Sequence, residues 1–309
     1  MTDRTALVAA ARDTIAKGSQ SFAAASRLFA PAMRERAWLL YSWCRAADDM
    51  TDGQELGHGA TIDSSSTAVQ GRLEALTWAA FDGDEAVPLP FAALRQVVRE
   101  TAMPRGFIAD HLAGFALDAA DWRPRDQDDL LRYCYHVAGS VGCMMAVVMG
   151  VSPNDEETLD RACDLGLAFQ LANIARDIVP DALVGRCYLP SHWLALHGLR
   201  EDALADPANR LAVAAMAGRL VSLARPYRRS ARVGAARLPF RARLAVLSAD
   251  GIYGAIGKQV AELGGQAWDQ RVRVSGAGKL GHVCLAVIRG LRRPADVSRA
   301  GLWTRPGQS

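Results

Sequence analysis

The sequence predicts an all-α fold, a single domain of helices, on three observations. Across its 309 residues no stretch sustains the period-two alternation of a half-buried strand. Ala, Leu and Arg, all good helix formers, dominate, and apolar residues recur at spacings of three and four. No shift in composition and no repeat at a solenoid period divides the chain into separate folding units.

A first helix is predicted over 5–17. Pro31 suits a first helical position, where its missing N–H is no loss, and that segment runs through Trp38, Leu39 and Trp43 to Met50, with Gly53 beyond its end. Helical periodicity then covers 66–81, 90–103, 106–121 and 126–149. Ser152 and Pro153 open another helix through Leu159, Leu165 and Phe169 toward Ile178, and later ones are predicted over 208–235, 239–264 and 279–292. Gly and polar residues mark 53–66 and 182–190 as loops, and 294–309 reads as a flexible tail.

A chain that is 50% apolar and 22% charged, with 27 Gly and 13 Pro, is neither disordered nor fibrous. Its six cysteines (Cys44, Cys134, Cys143, Cys163, Cys187, Cys284) form no Cys-x-x-Cys pair and sit among apolar neighbours. That predicts reduced, packed thiols, no zinc site and a cytoplasmic location. The N-terminal residues lack the basic-then-apolar order of a secretory signal. The uncharged run 133–154 is long enough to span a bilayer, yet His136, Ser140, Pro153 and its glycines fit a buried helix better.

The net charge of +3 conceals an asymmetry. Residues 200–309 hold 19 Lys and Arg against 7 acids, a balance of +12, which leaves −9 on the first 199. The acidic part suits cations and the basic part anions. No basic-aromatic platform or recognition motif points to nucleic acid.

Two acidic segments carry the chemistry. Asp48 and Asp52, four apart after Arg45, share one helix face about 6 Å apart along the axis, and charges that close repel unless a cation sits between them. In 165–181, Gln170, Asn173, Asp177 and Asp181 fall at steps of three, four and four, a polar line down an otherwise apolar helix. Such groups need partners, because unpaired burial costs about 1–3 kcal/mol per polar group. Either segment alone is explained by a solvated face. Together they suggest two helices that face each other across a cavity and hold Mg²⁺ for a phosphorylated, diphosphate-type substrate. Beyond Asp181, Arg186 and Tyr188 offer a guanidinium and a hydroxyl to phosphate. Small residues in 133–142 let either a ligand or a neighbouring helix approach closely.

The sequence resembles the squalene/phytoene synthase family, closest to its bacterial phytoene synthases. The resemblance runs from Ser19-Gln20-Ser21-Phe22 to Arg271. It rests on Asp48/Asp52, on the run from Tyr133 through Val137-Ala138-Gly139-Ser140-Val141-Gly142, on the run from Gln170 to Asp181, and on Arg186-x-Tyr188-Leu189-Pro190, all in family order.

The resemblance implies an all-α isoprenoid-synthase domain with helices around a central cavity and the two acidic motifs at its mouth. It implies a prenyltransferase that joins two geranylgeranyl diphosphates head to head, through a cyclopropylcarbinyl diphosphate, to phytoene. Mg²⁺, with Mn²⁺ able to substitute, would be held by Asp48, Asp52, Asp177 and Asp181, and no NADPH is expected. Arg45, Arg176, Arg186 and Arg271 would grip phosphate, with Tyr41, Tyr188 and Tyr253 as hydrogen-bond donors. Ser19, Phe22, Val137, Gly139, Gln170 and Asn173 would contact substrate, and Ala138, Val141, Leu165, Leu167 and Leu171 would complete an apolar wall against water. Pro180, inside the second acidic motif, should bend or end its helix just before Asp181.

Relatives that join two fifteen-carbon chains carry bulky aromatics after the first Phe, so by the resemblance the small Ala23-Ala24-Ala25-Ser26 favours a twenty-carbon chain, and Ser26→Phe should shift preference toward a shorter one. The alternatives are squalene or dehydrosqualene synthesis from farnesyl diphosphate, a terpene cyclase, and a non-catalytic assembly protein on the same fold. The apolar-basic run 280–293 suits peripheral contact with an anionic membrane at the inner face of the cell membrane, Arg292 and Arg293 included.

Overall fold

The computed structural model describes residues 3–52, 66–292 and 294–307; the side chains of Gln20, Ser21, Asp52 and Ser66 lie outside that description, as do Arg293 and nearly all of the predicted loop 53–66. Among the described residues there is no strand, in keeping with the all-α prediction. Contacts cluster into two compact units, Met1–Ala120 with Met144–Asp155, and Asp121–Cys143 with Glu156–Ser309.

The first unit contains α1 (Arg4–Gly18), α2 (Gln20–Ser26), α3 (Pro31–Asp52), α4 (Ser66–Asp82), α5 (Leu89–Glu100) and α6 (Arg105–Ala119). α1 buries Leu7, Ala11 and Ile15, one residue per turn, and α1, α3 and α5 pack on one another. Trp43 of α3 is wholly buried, donates its indole N–H to Thr77 Oγ1 at 3.3 Å, and meets the His111 ring edge-on. Glu100 at the end of α5 ties three helices together: it accepts from Arg4 Nε at 2.6 Å and Arg36 Nε at 2.9 Å, while Arg4 also reaches Glu35 at 2.7 Å. α2 has no counterpart in the predicted elements, because seven residues are too few for periodicity to show.

The second unit begins at α7 (Gln127–Cys134), capped by the Asp126 carboxylate, which accepts from Asp129 N–H. The single helix predicted over 126–149 is interrupted by a π-helical turn at Tyr135–Gly139 before α8 (Ser140–Val148). The turn lies where the chain presses on α9 (Glu156–Leu183): a Cβ on Gly166 would stand 2.2 Å from the Ala138 carbonyl oxygen, and one on Gly142 2.5 Å from that of Ala162. After α10 (Ser191–Leu196), α11 (Arg210–Ala235) packs along α9 and α12 (Phe240–Leu263), and α13 (Gly276–Gly290) lies on α12.

Two expectations are corrected. α9 continues through Pro180 to Leu183 rather than ending before Asp181. Pro180 is exposed in the last turn, where only the Arg176 carbonyl loses its intrahelical donor, and the stop comes five residues later at Gly185, whose φ of 78° places it in the left-handed region that suits glycine. Residues 294–307 are not a loose tail. Arg299 binds Asp160 and Asp164 at 2.8 Å, Arg305 is 4% exposed with Nε 2.9 Å from Asp160, and Trp303 packs on Tyr135. Composition shows a polar, Arg-rich end; it does not show the buried carboxylates on α9 that capture it. All six cysteines are free thiols, and no described helix is long and apolar enough to cross a membrane.

Candidate functional site

In the first unit, the candidate residues cluster on α3 and the α1–α2 turn. Tyr41 packs against Phe22 with ring centroids 5.6 Å apart, and its hydroxyl lies where a Cβ on Gly18 would be, 2.5 Å away. Burial pushes the Tyr41 phenol up to about 12, so it stays a protonated donor. One turn on, Arg45 is spent on Asp49, with Nε 3.0 Å from Oδ1. Asp49 is a partner that the sequence reading passed over. Its position four residues after Arg45 was the available signal. Asp48 shares this turn and is half-buried; Asp52 closes the helix, and its side chain lies outside the described residues.

Ser19, predicted to contact substrate, has a local task in the fold. Its hydroxyl caps α2, accepting from Phe22 N–H at 3.3 Å. Ser26 is 0% exposed; its Oγ donates to the Ala23 carbonyl oxygen and accepts from Trp38 Nε1, each at 2.8 Å. A phenylalanine at 26 would therefore overpack the α2–α3 contact rather than shorten a tunnel.

In the second unit, α9 carries the predicted polar line on one face. Asn173 Nδ2 donates to Gln170 Oε1 at 3.4 Å. Arg176 grips Asp177 through Nε at 2.9 Å and Nη2, and Arg271 Nη2 reaches the same carboxylate at 3.4 Å. The Asp181 carboxylate, one turn on, makes no hydrogen bond or ion pair among the described residues, although its backbone carbonyl accepts from Arg186 N–H at 2.8 Å. Burial, and then the charge of Asp177, push its carboxyl up to about 7. A half-buried carboxyl destabilised by a like neighbour, with a doubly paired carboxylate one turn away, is the electrostatic situation that a divalent cation relieves, so this pair fits Mg²⁺. Among the described residues no three His, Cys, Asp or Glu side chains form a cluster able to hold a metal by themselves.

Aromatic rings frame this helix. Tyr253 stacks on Phe169 at 4.0 Å and 12°, and burial raises its phenol. Phe169 was missed as a site residue, although it stands four residues before Asn173 on the same face. Tyr188 closes a three-ring stack with Tyr133 at 4.9 Å and Trp122 beyond it. The exposed Arg186 sits in the loop after α9, and Arg123 fixes that loop by donating to the Gly185 carbonyl oxygen at 2.7 Å while holding Glu201 at 2.9 Å. Nothing in the sequence marks Arg123.

Gly139, predicted to contact substrate, is buried against α9: a Cβ there would meet Cys163 Sγ at 2.9 Å. Its smallness serves helix packing, as does Leu167 beside it; Val137 is half-buried within the π-helical turn. Leu167 and Leu171 are core residues with no exposure.

A phytoene synthase from Pseudescherichia vulneris is 46% identical over 301 residues, covering 96% of this chain and 97% of its own. A 15-cis-phytoene synthase from Enterobacter agglomerans is 48% identical over 296 residues, covering 94% and 99%. Among solved structures, a dehydrosqualene synthase in complex with ligand superposes with a TM-score of 0.81 at 25% identity, over 92% of this chain and 96% of the other. The fold alone is shared with squalene synthase HpnC from Alicyclobacillus acidocaldarius, at a TM-score of 0.74 and 21% identity over 84% and 95%. The sequence profile of the family described as squalene/phytoene synthase matches residues 15–277, and the chain belongs to that family of prenyltransferases, with its isoprenoid-synthase fold.

Proposed function

We propose that this prenyltransferase condenses two geranylgeranyl diphosphates head to head to phytoene and releases two diphosphates, using Mg²⁺ or Mn²⁺ and no NADPH. The observation that carries the reading is the Asp177–Asp181 pair, one carboxylate gripped by Arg176 and Arg271 and the next unpaired. It sits in a chain nearly half identical over its length to proteins named phytoene synthase.

Divalent metal, when bound, neutralises the charge that builds on a departing diphosphate. Asp177 and Asp181 would hold it in the second unit, and Asp48 and Asp52 would do so in the first. Arg176 and Arg271, which converge on Asp177 in this structure, would offer their remaining guanidinium donors to phosphate oxygens, and Arg186 would join from its loop. Their charge favours the leaving diphosphate more than the bound substrate, which is the differential stabilisation that lowers the barrier. Tyr41 and Tyr253, held protonated by burial, donate hydrogen bonds without taking a proton from the reaction. The first ionisation yields an allylic cation that the second substrate's double bond captures as a cyclopropylcarbinyl diphosphate. That intermediate ionises, rearranges and loses a proton. The Gln170–Asn173 pair shares the metal-holding face and would line the cavity near the reacting carbons, and the Phe169–Tyr253 stack would contribute apolar wall against water.

A second reading, dehydrosqualene synthesis from farnesyl diphosphate, is favoured by the 0.81 TM-score to a dehydrosqualene synthase. Incubation of the purified chain with each diphosphate, Mg²⁺ and no NADPH, followed by mass identification of the hydrocarbon, separates the two. A forty-carbon product supports phytoene, and a thirty-carbon product alone moves the assignment to the second reading. No product from either, with lipid and Mn²⁺ added, would leave a non-catalytic assembly role. The working location is cytoplasmic with peripheral contact to an anionic membrane.

A further inference from the structure

α13 meets α12 through one narrow stripe. His282 lies against Gly251, Ala286 clusters with Ala235 and Leu247, and a Cβ on Gly290 would come 2.9 Å from Leu244. These three residues are spaced by four and define the inner face. The opposite face carries Leu280 (64% exposed), Cys284, Val287, Ile288 and Leu291 (74% exposed), at steps of four, three, one and three. The helix therefore turns its apolar side to water, the reverse of an ordinary surface helix.

Arg232, Arg243, Arg289 and Arg292 line a cavity of about 270 Å³ beside this face, closed by Leu247 and Pro294, with no acidic side chain in its wall. Arg232 is engaged by Asp250, and Arg243 donates to the Gly290 carbonyl oxygen at 3.0 Å while its Nε is buried without a partner. Arg289 and Arg292 have no ion pair among the described residues. Between Asp269 and Asp296 the sequence has six Lys or Arg and no acid.

We propose that α13 and this arginine cavity form a docking surface for an anionic phospholipid bilayer, the apolar stripe entering the acyl boundary and the cavity holding a headgroup phosphate. The occupant must present hydrocarbon and negative charge side by side, as an anionic lipid does. A second copy of the chain would bring the same cations to face these. The choice of a bilayer rests on the proposed reaction, whose substrates are amphiphiles and whose product is a hydrocarbon.

The test is co-sedimentation of the full chain with vesicles of phosphatidylcholine alone or mixed with phosphatidylglycerol. Binding is expected only with the mixed vesicles. The double variant Arg289→Gln/Arg292→Gln should weaken partition by about thirty-fold, two charges at ~1 kcal/mol each. Leu280→Asp/Ile288→Asp should weaken it comparably, with both variants keeping the parent Tm because all four side chains are exposed. Equal binding to neutral vesicles, or either variant binding like the parent, overturns the proposal. So does inorganic phosphate binding in the cavity without vesicle binding, which would make it a free-anion site. A dimer in light scattering that Leu280→Asp dissolves would assign the face to a second copy and also overturn it. Vesicle binding without hydrocarbon product would sink the reaction and leave the surface standing; product without vesicle binding would do the converse.

Discussion

Trp38 donates its indole N–H to the Ser26 hydroxyl at 2.8 Å, joining α2 to α3 at a site with no exposure. Ser26→Phe must expel that hydroxyl, strand the indole donor and insert a ring into a filled space, at about 2–4 kcal/mol. The expected outcome is a lowered Tm and reduced turnover of both the fifteen- and twenty-carbon diphosphates, with their ratio unchanged; Ser26→Ala should cost about 1 kcal/mol. A clean switch in product length at the parent Tm would restore the tunnel argument.

Asp181 should make stability depend on pH in the direction opposite to most carboxylates. Its carboxyl is raised to about 7, so between about pH 4 and 7 the folded chain binds a proton that the unfolded chain has released. Without metal, stability falls as pH rises through that window. Mg²⁺ takes the deprotonated pair, so it should raise Tm more at pH 8 than at pH 5. Asp181→Asn is expected to flatten the metal-free pH slope and weaken the Mg²⁺ response, both read in thermal melts. A Mg²⁺ response undiminished by the substitution would remove Asp181 from the ligand set.

The Glu100 cluster gives the ordinary sign. Arg4 first, helped by Gln96 and Arg36, holds its carboxyl down to about 2, so its contribution is complete above the usual carboxylate range and fades as pH drops from about 4.5 toward 2. Allowing for the solvent exposure of Arg4, Glu100→Gln should cost about 1–2 kcal/mol at pH 7 and much less at pH 2.5. Denaturant titrations at the two pH values measure the difference; an equal cost at both would assign the loss to packing.

Arg299 is the partner of Asp164, a carboxylate with no exposure that also accepts from Ser230. Arg299→Ala leaves that charge buried with one hydroxyl, a loss of about 3–5 kcal/mol. Arg299→Ala/Asp164→Ala should recover part of it, and a double-mutant cycle by urea melts gives the coupling. No recovery would show that the guanidinium acts by filling space.

Much of this molecule was legible in its residues. The spacing of Gln170, Asn173, Asp177 and Asp181 placed one polar face on one helix, because a period of 3.6 leaves no other arrangement. Ser19 and Gly139 have a structural task that the sequence did not show, because a cap and a helix crossing use the same small or hydroxylic residues as a binding site. Pro180 misled because its cost depends on how near the helix end lies, and that end is set by Gly185. Arg123 and Arg299 were invisible, since their partners are 78 and 135 residues away and no local pattern encodes them.

The grip of the C-terminal segment on α9 also sets an order of events during synthesis. Asp164 leaves the ribosome 135 residues before Arg299, about 7–27 s earlier at ordinary elongation rates. Through that interval the helix bearing Asp177 and Asp181 waits with an acid that only the Ser230 hydroxyl can answer, and synthesis of the Arg299 segment completes it. A nascent chain held or tagged just short of that point would have every metal-binding residue and still lack the clasp that seats their helix.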